Sequence, residues 1–221
     1  MKIQISTLVH HFIPASEKGQ DAVLILVHGR GGNLKLLEFY AKRFKIPGLH
    51  YLSIQAPLEE QRDDQKERNE SGWSWYVNPG RRGLEDSRAK LSKMIEEIQA
   101  QGIPYRRIFW LGFSQGAAMG LDTFLRTPHI LGGALCISGI LVKATDYPQS
   151  FSPQAAEQRI LITHGTRDEI ISLEEAEKTY SVLRENQIPF EFKVYDKPHS
   201  FHLQQEVPYL ESTLQKWLSD S

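Results

Sequence analysis

Short apolar segments alternate along this chain with longer segments of helical periodicity. The first of them, AVLILVH at 22–28, is apolar almost throughout, which is typical of a strand covered on both faces. Similar segments follow at 50–57, 107–113, 132–138, 159–165 and 190–196. Between them, apolar spacing and end signals predict helices at 33–44, 84–102, 115–127, 172–187 and 208–219. This alternation predicts an α/β fold with one mainly parallel sheet and helices on both faces, in a single domain spanning residues 1–221.

Composition excludes several classes of function. Twenty-six basic and 27 acidic residues give a formal net charge of −1, so nucleic acid is not an expected partner. No apolar run approaches the roughly 18–20 residues that cross a bilayer, and we expect no stable membrane insertion. The first residues lack the pattern of a signal peptide, so a cytoplasmic location is expected. The single cysteine, Cys136, lies in an apolar run and is expected to be buried; no metal or organic cofactor is expected.

One segment departs from the alternation. Nearly every residue of EEQRDDQKERNE at 59–70 is charged or carries an amide. It could be a docking surface for a charged partner or a solvated, exposed segment. The alternating signs of its charges favour the solvated segment.

The segment LGFSQGAAMG at 111–120 places Ser114 between Gly112 and Gly116, directly after a predicted strand and before a predicted helix. A nucleophile elbow requires this strand–turn–helix placement, because the sharp turn raises the serine Oγ above the sheet edge. Glycine is expected at 112 and 116, since side chains there would collide. The alternative is a serine that caps the helix, with glycines present for close packing.

A serine nucleophile needs a base and an orienting carboxylate, which in this type of fold follow in the order Ser, acid, His. Asp168 is the favoured acid because it follows a strand end and a turn that contains Gly165; the neighbouring Glu169 is the alternative. His199 is the favoured base because it follows the last strand. His202 is the alternative and is expected to begin the terminal helix.

The reaction also needs two N–H donors for an oxyanion. The backbone N–H of Gln115 is one candidate, because it lies at a helix N-terminus beside the serine. The backbone N–H of Arg30 is the other, in the glycine-rich loop at 27–33. That loop lacks the spacing of nucleotide-binding glycine motifs.

Several motifs together are similar to the phospholipase/carboxylesterase family of α/β-hydrolases, which includes acyl-protein thioesterases. They are VHGRGG at 27–32, APL at 56–58, WSWY at 73–76, LGFSQGAAM at 111–119, CISGIL at 136–141, HGTRDEIIS at 164–172 and YDKPHSF at 195–201. The resemblance implies an α/β-hydrolase fold and a catalytic triad of Ser114, Asp168 and His199. It also implies an oxyanion hole formed by the amides of Arg30 and Gln115.

The chain departs from acyl-protein thioesterases in two places. Where they usually carry a hydrophobic and an acidic residue in the first loop, this chain has Arg30 and Gly32, and the charged segment replaces an apolar one. A carboxylesterase that acts on small esters or thioesters is therefore the leading interpretation. An acyl-protein thioesterase or lysophospholipase is the second, and a non-catalytic binding protein on the same scaffold is a remote third. Trp73, Trp75 and Tyr76 could line a substrate pocket or be ordinary core aromatics.

Overall fold

The centre of the computed structural model, which describes residues 2–60 and 72–221, is a seven-stranded sheet. The strands of the described residues are β1 His10–Ile13, β2 Ala22–Val27, β3 Leu49–Ile54, β4 Leu58–Glu59, β5 Trp73–Ser74, β6 Ile108–Phe113, β7 Gly133–Ile137, β8 Ile160–Gly165 and β9 Glu191–Tyr195. The main sheet has the order β1-β3-β2-β6-β7-β8-β9, and β4 and β5 form a separate antiparallel pair. All neighbours in the main sheet are parallel except β1 and β3. The prediction of a mainly parallel sheet is confirmed.

Five α-helices lie within the described residues: α1 Phe39–Arg43, α2 Leu84–Gln99, α3 Gln115–Arg126, α4 Leu173–Glu185 and α5 Glu206–Ser219. The helix predicted at 33–44 is much shorter. Ahead of it, the N–H of Leu36 donates to the carbonyl of Asn33 at 3.1 Å and that of Glu38 to the carbonyl of Lys35 at 3.2 Å, which is the spacing of successive turns and not of an α-helix. The prediction that His202 begins the terminal helix is wrong by four residues. The carbonyl of His202 accepts the N–H of Glu206, the first residue of α5, at 3.0 Å.

Two apolar cores cover the two faces of the sheet. Alternate residues of β2 enter different cores, with Val23, Ile25 and Val27 in one and Leu24 and Leu26 in the other. The first core includes apolar residues of α2, α3 and α4, and the second includes residues of α1 and α5. Because β2 is buried on both faces, its sequence is apolar throughout. The predicted helices on both faces are confirmed.

Since β2, β6, β8 and β9 run parallel, the loops that follow their carboxyl ends meet at one edge of the sheet. Cys136 lies in β7 inside this layer, fully buried, and burial raises the pKa of its thiol. No helix in the two described ranges is long and apolar enough to cross a membrane. Of the charged segment at 59–70, residues 61–70 lie outside the described residues.

Candidate active site

Ser114 lies between the end of β6 and the start of α3 in a strained backbone conformation, with φ 53° and ψ −116°. A non-glycine residue in such a region costs on the order of 1–3 kcal/mol and is found mostly at functional sites. A Cβ at position 112 would lie 2.3 Å from the carbonyl oxygen of Gly116, and one at 116 would lie 2.0 Å from that of Val27. Glycine at both positions is therefore a steric requirement of the turn. The side chain of Ser114 makes no capping hydrogen bond to α3, so helix capping does not account for the serine.

The loop after β2 approaches the serine closely, since a Cβ at position 29 would lie 3.1 Å from Ser114 Cβ. His28 holds the start of this loop. Its Nε2 accepts the N–H of Ala56 at 3.1 Å, so Nδ1 carries the proton and donates to the carbonyl of Gly29 at 2.8 Å. Burial lowers the pKa of His28 to about 4, which keeps the ring neutral at pH 7.

The rest of the loop is tied to β5. The N–H of Gly31 donates to Ser74 Oγ at 3.2 Å, and Trp73 N–H donates to the carbonyl of Gly32 at 3.0 Å. The guanidinium of Arg30 pairs with Glu60, with Nε 3.0 Å from Oε1. This hydrogen bonding lowers the pKa of the Glu60 carboxyl.

The two proposed oxyanion donors belong to the two segments that meet at Ser114. Arg30 follows Gly29, the residue of the β2 loop that approaches the serine. Gln115 opens α3, where the first backbone N–H groups have no acceptor within the helix. That these two N–H groups bind an oxyanion stays a prediction.

The side chain of Gln115 links the serine turn to the segment after β5. Its Oε1 accepts the N–H of Trp75 at 2.8 Å, and its Nε2 donates to the carbonyl of Tyr76 at 2.7 Å. Trp75 is fully buried and donates from Nε1 to the carbonyl of His28 at 2.9 Å. Trp75 and Tyr76 are therefore parts of the framework around the serine, and Trp73 is only partly buried. A contact of these three residues with substrate stays a prediction.

Asp168 and His199 are brought together from the loops after β8 and β9. Asp168 Oδ2 lies 2.7 Å from His199 Nδ1, while Oδ1 accepts the N–H groups of Ile170 at 3.0 Å and Ile171 at 2.9 Å. Burial alone would raise the pKa of Asp168, but the hydrogen bonds from Ile171, His199 and Ile170 outweigh it and hold this pKa below its ordinary value. The carboxylate is thus ionised at neutral pH and oriented towards the imidazole.

The imidazole of His199 also lies near the serine turn. Its ring centroid is 4.9 Å from that of Phe113, the residue that precedes Ser114. The alternatives are placed differently: Glu169 is exposed, and His202 Nδ1 accepts the N–H of Gln205 at 3.3 Å.

Three buried polar residues that sequence reasoning did not single out surround Asp168 and His199. His164 Nε2 lies 3.4 Å from Asp168 Oδ2 and donates to the carbonyl of Ile171 at 2.9 Å, and burial lowers the pKa of His164. Lys197 and Glu206 form an ion pair with Nζ and Oε1 2.5 Å apart. The motif HGTRD could have pointed to His164. Nothing in the sequence near Lys197 or Glu206 signals that these charges are buried.

Comparison with known proteins gives consistent results. The sequence profile of the Phospholipase/Carboxylesterase family matches residues 8–218. A probable carboxylesterase of Oryza sativa subsp. japonica is 34% identical over 128 residues, which cover 58% of this chain and 48% of the relative. Acyl-protein thioesterase 1 of Eremothecium gossypii is 36% identical over 115 residues, which cover 49% of this chain and 46% of the relative. Another relative from Oryza sativa subsp. japonica is named a probable inactive carboxylesterase. It is 32% identical over 129 residues, which cover 58% of this chain and 52% of the relative. The chain thus spans about half the length of these curated relatives.

Solved structures match over more of the chain. The crystal structure of a single-residue variant of SOBER1 from Arabidopsis thaliana superposes with a TM-score of 0.77 and 25% identity, covering 89% of this chain and 99% of that one. Together with the mainly parallel sheet, these matches show the α/β-hydrolase fold, as the sequence resemblance implied.

Proposed function

The chain belongs to the phospholipase/carboxylesterase family of α/β-hydrolases, and on that premise we propose that it is a serine hydrolase that cleaves carboxylic esters. One observation carries the proposal. The buried Asp168 carboxylate is bonded to His199 Nδ1 at 2.7 Å, and the His199 ring lies beside the strained turn that presents Ser114. An acid, a base and a nucleophile at one sheet edge are the arrangement needed for acyl transfer.

The mechanism follows from which ring nitrogen faces the carboxylate. Because Nδ1 of His199 donates to Asp168, Nε2 of the neutral ring is free to take the proton of Ser114 as the serine attacks the carbonyl. Asp168 remains ionised and stabilises the imidazolium that forms. The backbone N–H groups of Arg30 and Gln115 would bind the oxyanion.

The imidazolium then returns its proton to the leaving alcohol, which leaves an acyl-enzyme on Ser114. His199 next takes a proton from water as the water attacks the acyl-enzyme. When the second tetrahedral intermediate collapses, the imidazolium returns that proton to Ser114 Oγ, which restores the serine and releases the acid. Every proton transfer in this sequence is assigned to a group of this chain or to water.

We propose a small carboxylic ester or thioester as substrate. Trp73 is the best candidate of the three aromatics for a substrate contact, because it alone is partly exposed. The second candidate is an acyl-protein thioesterase or lysophospholipase activity, favoured by the relative named acyl-protein thioesterase 1. A panel of esters and thioesters of increasing acyl length separates the two. A short-chain optimum without hydrolysis of palmitoyl thioesters supports the first, and a long-chain optimum supports the second.

The test of the nucleophile is Ser114→Ala. We expect kcat on a p-nitrophenyl ester to fall by at least about 10⁴-fold, as for other serine hydrolases that lose the nucleophile. Stability should change little, because the Ser114 side chain caps no helix.

A matched control is Ser172→Ala. Ser172 Oγ accepts the N–H of Glu175 at 3.1 Å and caps α4, so its loss should lower stability by about 1 kcal/mol without changing kcat. If Ser114→Ala keeps activity within tenfold of the wild type, the proposal is wrong. If the wild type itself hydrolyses no ester or thioester, the non-catalytic alternative takes its place.

A further inference from the structure

Lys197 and Glu206 form an ion pair that is almost completely removed from water, with side-chain exposures of 2% and 0%. Removing two charges from water is costly, and apolar residues of similar size often stabilise a fold equally well or better. Stability alone is therefore a weak explanation for this pair. Its contacts suggest that it holds the loops of the candidate site in place.

The ion pair fixes the loop that carries the base to the start of α5, and the backbone of Lys197 joins that loop to the one that carries the acid. Glu206 Oε2 accepts the N–H of His202 at 2.9 Å, which fixes the far end of the His199 loop to the start of α5. The carbonyl of Lys197 accepts the N–H of Arg167 at 3.1 Å, which fixes the near end to the Asp168 loop. A Cβ at position 165 would lie 2.2 Å from that carbonyl oxygen and 3.0 Å from Lys197 Cγ. Glycine there lets the backbone and Cγ of Lys197 lie against the end of β8.

The pair also acts on Asp168 through charge. Burial lowers the pKa of Lys197, while Glu206 and Asp168 both oppose this change by attracting the ammonium. Lys197, which is buried, therefore supports the ionised carboxylate of Asp168 from the protein interior.

We propose that Lys197 and Glu206 are positioning residues for the reaction. By anchoring Lys197 and His202 to Glu206, the pair keeps the loop that carries His199 in place against the Asp168 loop, so that the bond between Asp168 and His199 Nδ1 keeps the imidazole aimed at Ser114. The inference rests on the proposed function, because it assigns a role in orienting the base of that reaction.

Lys197→Met and the double variant Lys197→Met/Glu206→Leu test it. The single variant leaves a buried, unpaired carboxylate and should lower Tm strongly, whereas the double variant removes both charges and should recover most of that loss. In both, kcat per folded site should fall by about 10–100-fold, the effect of a small misplacement of a reacting group, with KM within about threefold of the wild type. Rates are measured well below the lowest Tm of the set.

Two further readouts separate positioning from folding. The proton between His199 Nδ1 and Asp168 should give a far-downfield NMR resonance in the wild type that shifts or broadens in the double variant. Glu206→Gln, which keeps the size of the side chain but removes its charge, should lower kcat by about 10-fold even if the double variant fails to fold.

Arg88→Met is the matched control. Arg88 pairs with the buried Asp122 at 2.7 and 2.8 Å, between α2 and α3 and outside the candidate site. It should lower Tm without changing kcat or the resonance.

The inference is overturned if the double variant, or Glu206→Gln, retains wild-type kcat and an unchanged resonance. That outcome differs from failure of the proposed function, in which the wild type itself would neither hydrolyse esters nor react at Ser114.

Discussion

The two halves of the candidate site are built by different physical means. Apart from the ion pair between Arg30 and Glu60, the half around the candidate nucleophile Ser114 is built from glycines and neutral hydrogen bonds. Gly112 and Gly116 allow the turn at Ser114, the side-chain amide of Gln115 ties it to the core, and His28 is held neutral. Its geometry depends on the close approach of backbone segments.

The half around Asp168 and His199, the candidate acid and base, contains buried charge. Asp168 is ionised and fully buried at its side chain, and the buried ammonium of the Lys197–Glu206 pair attracts it. Its geometry depends on charges that face each other where water is excluded. We therefore expect the half around Ser114 to lose its geometry when a substitution adds volume. The half around Asp168 and His199 should lose its geometry when a substitution removes a charge, even if the side chain keeps nearly the same shape.

The largest effect expected from this comparison is that of Asp168→Asn. Asn at 168 can still accept the N–H groups of Ile170 and Ile171, but it removes the charge and can donate to His199 Nδ1, which favours the wrong tautomer. We expect kcat to fall by about 10⁴-fold with KM nearly unchanged, measured by ester hydrolysis across substrate concentration.

The control is Glu169→Gln, which removes the neighbouring exposed carboxylate and should retain full activity. Equal losses of kcat in the two variants would mean that the charge of Asp168 has no special role. The difference proposed between the two halves of the site would then be wrong.

A smaller effect, on stability, is expected at His28. The ring of His28 is neutral in the fold, so its protonation would place a buried charge in the half around Ser114. The pKa of His28 is about 4 in the fold against about 6.5 when unfolded, so between these values the unfolded chain binds more protons. Stability contributed by the neutral ring is complete above about pH 6.5 and is lost as the pH falls towards 4, by about 3 kcal/mol in total.

Denaturant unfolding between pH 7 and 4 measures this loss. His28→Gln, whose amide oxygen can still accept the N–H of Ala56, should be less stable at pH 7 but should lose less stability on acidification. His11→Gln, at an exposed position, controls for the removal of one histidine. Parallel pH dependences of the wild type and His28→Gln would show that a neutral His28 is not part of the framework.

The same contrast explains how much could be predicted from the sequence. The central strands and the long helices α2, α3, α4 and α5 were predicted because their apolar spacing reflects burial on one or two faces. Strand β1 was missed because it is a four-residue edge strand that contains His10 and His11. The single domain over residues 1–221 stays a prediction.

At the candidate site, the strained turn at Ser114 could be recognised because glycine is sterically required at positions 112 and 116, and such requirements leave a motif. The positions of Asp168 and His199 followed from chain order at strand ends. The burial of Lys197 and Glu206 could not be foreseen, because a lysine and a glutamate nine residues apart read as ordinary surface charges until the fold places them together.

The most direct test of the account is covalent labelling with a fluorophosphonate, followed by peptide mass spectrometry. We expect one adduct per chain on Ser114 in the wild type, none in Ser114→Ala, and much slower labelling in Asp168→Asn. No adduct on the wild type, or an adduct on another residue while Ser114 stays unmodified, would contradict it.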